Sequence, residues 1–157
     1  MLRVFFLLFS LVFGVVGFAA ENSLQLPPDF SFVTSKDGSY DAKYSNAVRY
    51  RISIKNSLGG EGSQQILFEK FAPGRYGSPD KIIFQKEIAV TSLPKVKEMV
   101  DDIAKKSVEA TYGCCRVKDV TWNEYQVRFK VQRDSKSFAC ETTEFSDEKF
   151  KVTCNST

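Results

Sequence analysis

Two stretches of strict alternation, one on either side of a single helical stripe, constrain the fold more than any other feature of this chain. In "AVRYRISI" the residues Val48, Tyr50, Ile52 and Ile54 alternate with Arg49, Arg51 and Ser53. In "NEYQVRFKVQ" the residues Tyr125, Val127, Phe129 and Val131 alternate with Glu124, Gln126, Arg128 and Lys130. A period of two sends neighbouring side chains to opposite faces, so both stretches read as half-buried strands. Between them the period changes. Over residues 93–110, Val96, Met99, Val100, Ile103, Ser107 and Ala110 share one stripe, and Lys97, Glu98, Asp101, Asp102, Lys105, Lys106 and Glu109 lie opposite. That pattern predicts an amphipathic helix, with Ser92 as N-cap, Pro94 in the first turn, Asp101 to Lys105 and Asp102 to Lys106 as ion pairs, and Gly113 as terminator.

Shorter strands fill the rest. "FSFVTSKDGSY" reads as a strand entering an Asp37-Gly38 turn, and the loop "NSLGGEGS" leads to "QQILFEKF". The loop "APGRYGSPD" then precedes "KIIFQKEIAV". After the helix come "CCRVKDVTW", "SFACETTEF" and "KFKVTCN", the last two separated by Ser146-Asp147-Glu148. The expected class is α+β: a mostly antiparallel sheet of about seven to eight strands, with the helix at 93–110 packed on one face. This order of elements resembles that of the cystatin-like folds and of the PsbP family of photosynthetic lumenal proteins. The Q-x-V-x-G element of the cystatins is missing, so the resemblance implies no cystatin-type inhibition, and no family is assigned.

The first residues carry one cation, Arg3, an apolar run from Val4 to about Val16, and small residues after it. This is the pattern of a secretory signal peptide, with Gly17 and Ala19 at the −3 and −1 positions. The expected division is 1–19 signal peptide and 20–157 one exported domain. The alternative, an uncleaved anchor, is disfavoured because the apolar run is shorter than a spanning helix requires. Removing Arg3 lowers the formal charge from +3 to +2, too small an excess to argue for nucleic acid as a partner. Export, periplasmic or extracellular, puts the four cysteines where pairing is the default.

Counting outward from a three-residue loop that sets Phe145 opposite Lys149, Cys140 falls opposite Cys154, at a separation that a disulfide accepts. Cys114 and Cys115 would then form a vicinal disulfide or remain thiols. The other pairings take each of these two to one hairpin cysteine. Redox or soft-metal chemistry is one reading of Cys-Cys, and two structural half-cystines the other. The second is favoured because the pair follows a helix C-terminus, where the dipole disfavours a thiolate.

Much chemistry is excluded. The chain contains no histidine, which removes imidazole acid-base catalysis, histidine triads and histidine-ligated metals. "SLPK", Ser92 to Lys95, matches S-x-x-K without the accompanying K-T-G, and Ser146 to Lys149 shows how cheaply that pattern arises. Asp37, Ser39 and Asp41 resemble the opening of a calcium loop, but Ala42 and Val48 stand where glycine and glutamate are needed. Glu141 and Glu144 face opposite ways in a regular strand, and "LGGEGS" lacks the Lys-Ser/Thr of a phosphate loop.

Two features remain as candidate binding surfaces. One is Arg75 and Tyr76 at the tip of "APGRYGSPD", residue types enriched at binding hot spots. The other is a polar strand face bearing Arg49 and Arg51, joined by Arg128 and Lys130 if those strands neighbour. Either also reads as ordinary solvated surface. The sequence therefore points to a non-catalytic exported module that binds another protein or an envelope component, with no cofactor, no metal, no nucleic acid and no membrane span after signal cleavage. A carrier of an apolar ligand, lined from the 14 phenylalanines, is the alternative, and a thiol-redox or soft-metal role for Cys114/Cys115 the third reading.

Overall fold

A computed structural model describes residues 30–56, 63–146 and 148–157, and for 30 and 31 the backbone alone. The proposed signal peptide, Pro27-Pro28-Asp29, most of "NSLGGEGS" and Asp147 lie outside the described residues. Eight strands build two four-stranded antiparallel meanders: β1 (Phe30–Asp41), β2 (Asn46–Lys55), β3 (Gln65–Ala72) and β4 (Lys81–Ala89), then β5 (Arg116–Asn123), β6 (Gln126–Arg133), β7 (Lys136–Thr142) and β8 (Val152–Ser156). The one α-helix among the described residues, α1 (Val96–Ala104), joins them. The α+β class and the eight strands agree with the sequence reading. The strands form two sheets facing each other, where one continuous meander beside the helix was the simpler expectation.

The alternating residues supply the core. Val48, Tyr50, Ile52 and Ile54 of β2, and Val127, Phe129 and Val131 of β6, are all buried. Phe68 lies against Phe129 across the inter-sheet space, and Tyr50 stacks on Tyr125 with ring centroids 5.1 Å apart. Into this space the β7–β8 connection inserts Phe145 and Phe150. Phe145 is wholly buried, with its ring edge-on to Tyr50, Phe68 and Phe150. Such edge-to-face contacts add to the free energy of burying the rings. Two polar ties also cross between the sheets: Trp122 Nε1 donates to Thr34 Oγ1, and the Val117 amide donates to Gln64 Oε1.

Several local expectations change. Asp37-Gly38 is no turn: β1 runs on to Asp41, with Gly38 and Ser39 bulged opposite Val48. A Cβ on Gly38 would sit 2.6 Å from Tyr50 Cε2 and 2.9 Å from Val48 Cγ2, so the close crossing of β1 over β2 requires glycine there. The helix is shorter at both ends, flanked by 3-10 turns at Val90–Ser92 and Glu109–Thr111. Ser92 does not cap it. Its hydroxyl donates to the Ala89 carbonyl, and the N-cap is Lys95 in the left-handed region at φ 65°. Val96 and Met99 are buried in the core, whereas Ser107 and Ala110 are exposed beyond the helix end, because neither is large or apolar enough to hold another turn against the sheets. The expected i, i+4 pairs re-form as Lys105 with Asp102 at 2.8 Å and Lys97 with Asp101 at 4.0 Å. In the first of these the hydrogen bond and charge of each partner hold the Asp102 carboxyl below, and the Lys105 ammonium above, their ordinary values.

Candidate functional site

The β1–β2 turn, residues 42–45, and the β3–β4 loop, residues 73–80, emerge from the same end of the first sheet, and side chains lock them together. Asn46 Nδ2 donates to the Pro73 carbonyl at 2.9 Å while its Oδ1 accepts from the Ala47 amide. The Arg75 guanidinium donates to the Ser45 carbonyl. The longer loop also closes on itself, with the Gly74 amide donating to Asp80 Oδ1 at 3.0 Å and the Ser78 amide to the Arg75 carbonyl at 3.0 Å. Closure is tight: a Cβ on Gly74 would lie 1.7 Å from the Ser78 carbonyl oxygen. Tyr76 and Gly77 complete the turn in the left-handed region, at φ 52° and 82°.

None of these bonds uses the Tyr76 side chain. Tyr76 is fully exposed, at 104% of its reference area, on a tip fixed from both sides. At the same end of the sheet Tyr40 of β1 is two-thirds exposed and Ile82 of β4 less than half exposed. Tyr44 is half-buried between Lys43 and Lys81, whose ammonium groups lie 5.5 and 5.1 Å from its ring centroid. Asp41 Oδ1 accepts from the Lys43 amide, and Asp37 pairs with Arg49, so both aspartates of the calcium-like trio are engaged in protein contacts. The site can offer aromatic area, a phenol and flanking ammonium groups at low ordering cost.

The second candidate surface does not assemble. Arg49 and Arg51 lie on β2 and Arg128 and Lys130 on β6, in different sheets, so the strands never neighbour. Each cation is also matched to a carboxylate: Arg49 to Asp37 at 2.7 Å, Arg51 to Glu69 at 2.6 Å, Arg128 to Glu141 at 3.0 Å and Lys130 to Asp119 at 2.8 Å. Lys130 holds the Asp119 carboxyl below its ordinary value through hydrogen bond and charge. Arg51 is a structural strut, its guanidinium over the Phe71 ring and its partner Glu69 buried. Of the six nominated residues, Tyr76 alone is without a polar or ionic partner among the described residues.

The cysteines pair as Cys140 with Cys154 and Cys114 with Cys115. Cys140 and Cys154 are register partners of β7 and β8, as the counting required, although the connection is longer than three residues and ordered pairing ends at Thr142 opposite Val152. These bonds belong to an oxidising environment. Among the described residues no three His, Cys, Asp or Glu side chains group as metal ligands, and no helix is long and apolar enough to cross a membrane.

Sequence reasoning missed Gln64, which reaches Asn56 and Val117 at once, and Tyr44, whose cationic neighbours are the adjacent Lys43 and the distant Lys81 of β4. Neither has a local sequence signal. No family model, curated protein or solved structure matches this chain.

Proposed function

We propose that this protein is a non-catalytic binding module of an exported compartment, periplasmic or extracellular, which docks another protein or an envelope component through the tip at residues 73–80. The observation carrying this reading is Tyr76: fully exposed, yet mounted on a loop whose backbone is held by Asp80, Ser45 and Asn46. A rigid loop loses little freedom on binding, and tyrosine supplies large contact area with few rotatable bonds. Arg75, nominated with it, acts as a brace. The phenylalanines that a carrier's pocket would need pack on one another between the sheets, which favours a surface-binding role over ligand storage.

Site-specific photocrosslinking tests the reading. A benzophenone amino acid placed at position 76 should yield one dominant adduct in the native compartment, and the same probe at Tyr112, another exposed tyrosine, should not. Tyr76→Ala should then weaken affinity for the captured partner by about 30-fold. Equal capture at both positions, or unchanged affinity, would overturn the assignment.

A further inference from the structure

The Cys114–Cys115 bond carries an inference independent of the tip. A cross-link between neighbours closes no loop of chain, so it lacks the loop-closure stabilisation that a disulfide of sequence separation 14, such as Cys140–Cys154, confers. It also lies outside any strand, in the stretch that joins the second 3-10 turn to β5. Cys114 and Cys115 are themselves buried against the core, and the residues that precede them are loosely attached. Residues 105–113 are almost all exposed, Val108 and Tyr112 among them, and their hydrogen bonds are local: Thr111 and Tyr112 amides to the carbonyls of Val108 and Glu109, and the Cys114 amide to Thr111. A single side-chain strut, Arg133 Nη2 to the Ala110 carbonyl at 2.5 Å, ties the stretch to β6. Cys115 is meanwhile held at φ 75°, a left-handed conformation unfavourable for a non-glycine residue.

Both cysteines border a cavity of about 240 Å³ that Arg116 and Arg133 also line, with Asp134 at its rim. The Arg133 Nη1 atom is buried without an acceptor. Guanidinium groups beside a disulfide favour both the approaching thiolate and the departing one.

We propose that Cys114–Cys115 is a reducible switch whose electron donor is a dithiol. A donor thiolate attacks one sulfur, forming a mixed disulfide as the Cys114–Cys115 bond breaks and the other cysteine leaves as a thiolate. The donor's second thiol, deprotonated, then displaces the bound cysteine. The donor ends as a disulfide, and Cys114 and Cys115 end as two thiols after taking up two protons. Freed from the ring, Cys115 leaves the left-handed region and the stretch at 105–115 detaches from the second sheet.

The full exported chain, treated under native conditions with dithiothreitol, acid-quenched at intervals, alkylated and digested with trypsin, tests this directly. Both neighbours fall in one tryptic peptide, residues 107–116, whereas Cys140–Cys154 joins peptides 137–149 and 152–157. The peptide 107–116 should gain its two alkyl groups at least about tenfold faster than the linked pair separates. The variant Cys114→Ser/Cys115→Ser should show, without reductant, the faster amide exchange over 105–116 that the reduced wild type shows. Equal or reversed rates, or reduction of the neighbours only in denaturant, would overturn the proposal, as would reduction without any change in exchange there.

Discussion

The loop at 73–80 and the stretch at 105–115 both hold a tyrosine out to solvent, and they are secured in opposite ways. The first is tied by three side chains, Asn46 from the start of β2 and Arg75 and Asp80 from the loop itself, to backbone atoms of Pro73, Ser45 and Gly74. The second depends on local turns, one arginine strut and, at its end, the buried Cys114–Cys115 pair that spans a single peptide bond. Distributed hydrogen bonds hold a surface in one shape through any one local fluctuation, whereas a segment fixed at few points can be released by breaking one of them. The same chain therefore presents one surface built to stay and one built to let go.

The comparison can be sharpened by substitution. The largest effect should come from the reference bond: Cys140→Ser/Cys154→Ser is expected to lose about 3 kcal/mol of stability by denaturant unfolding, whereas Cys114→Ser/Cys115→Ser should lose less than about 1 kcal/mol. Comparable losses would make the vicinal bond a scaffold element. Gly74→Ala should cost about 2 kcal/mol, because the new methyl meets the Ser78 carbonyl and the loop must open, and tip-dependent binding should fall with it. Arg75→Ala removes one brace and is expected to cost about 1 kcal/mol, while Tyr76→Ala should stay within about 0.5 kcal/mol of wild type in stability and act on binding alone.

An effect seen only at alkaline pH concerns neither segment. Burial, with lesser contributions from Glu144 and Tyr125, pushes the Tyr50 phenol from 10.0 up to about 12. The folded state therefore keeps this proton more tightly than the unfolded chain does. Its contribution is fully present below pH 10 and is lost as pH rises towards 12. Tyr50→Phe should flatten the decline of the melting temperature across that window, and an unaltered decline would place the alkaline sensitivity elsewhere.

What could be read in advance follows from what period and register determine. Alternation identified the buried apolar residues of β2 and β6 because burial on one face leaves no other phase, but it misplaced Ser53, which is buried, and Tyr125, which precedes β6 and is exposed. The Cys140–Cys154 pairing was legible for the same reason. The β7–β8 connection is longer than assumed, but it extends both arms equally, with Thr143 and Lys151 still bonded across it, so the register survives. Period does not say which strands share a sheet, and so Arg49 and Arg51 could be assigned a face without revealing that Arg128 and Lys130 belong to the other sheet. Gly38 was read as a turn because its local chemistry is that of a turn; only the approach of Tyr50, twelve positions on, shows a bulge. Exposure of Tyr76 was legible from turn residues around it, but the bracing was not, since Ser45 and Asn46 lie about 30 residues away in sequence.

Hydrogen–deuterium exchange of the full chain, oxidised and after dithiothreitol, bears most directly on the contrast between the two segments. In the oxidised protein the amides of Gly74 and Ser78, both hydrogen-bonded, should exchange slowly, and they should stay slow after reduction while residues 105–116 speed up. A tip that exchanges at the rate of an unprotected chain, or a stretch at 105–116 that keeps its protection with the vicinal bond open, would contradict the division drawn between them.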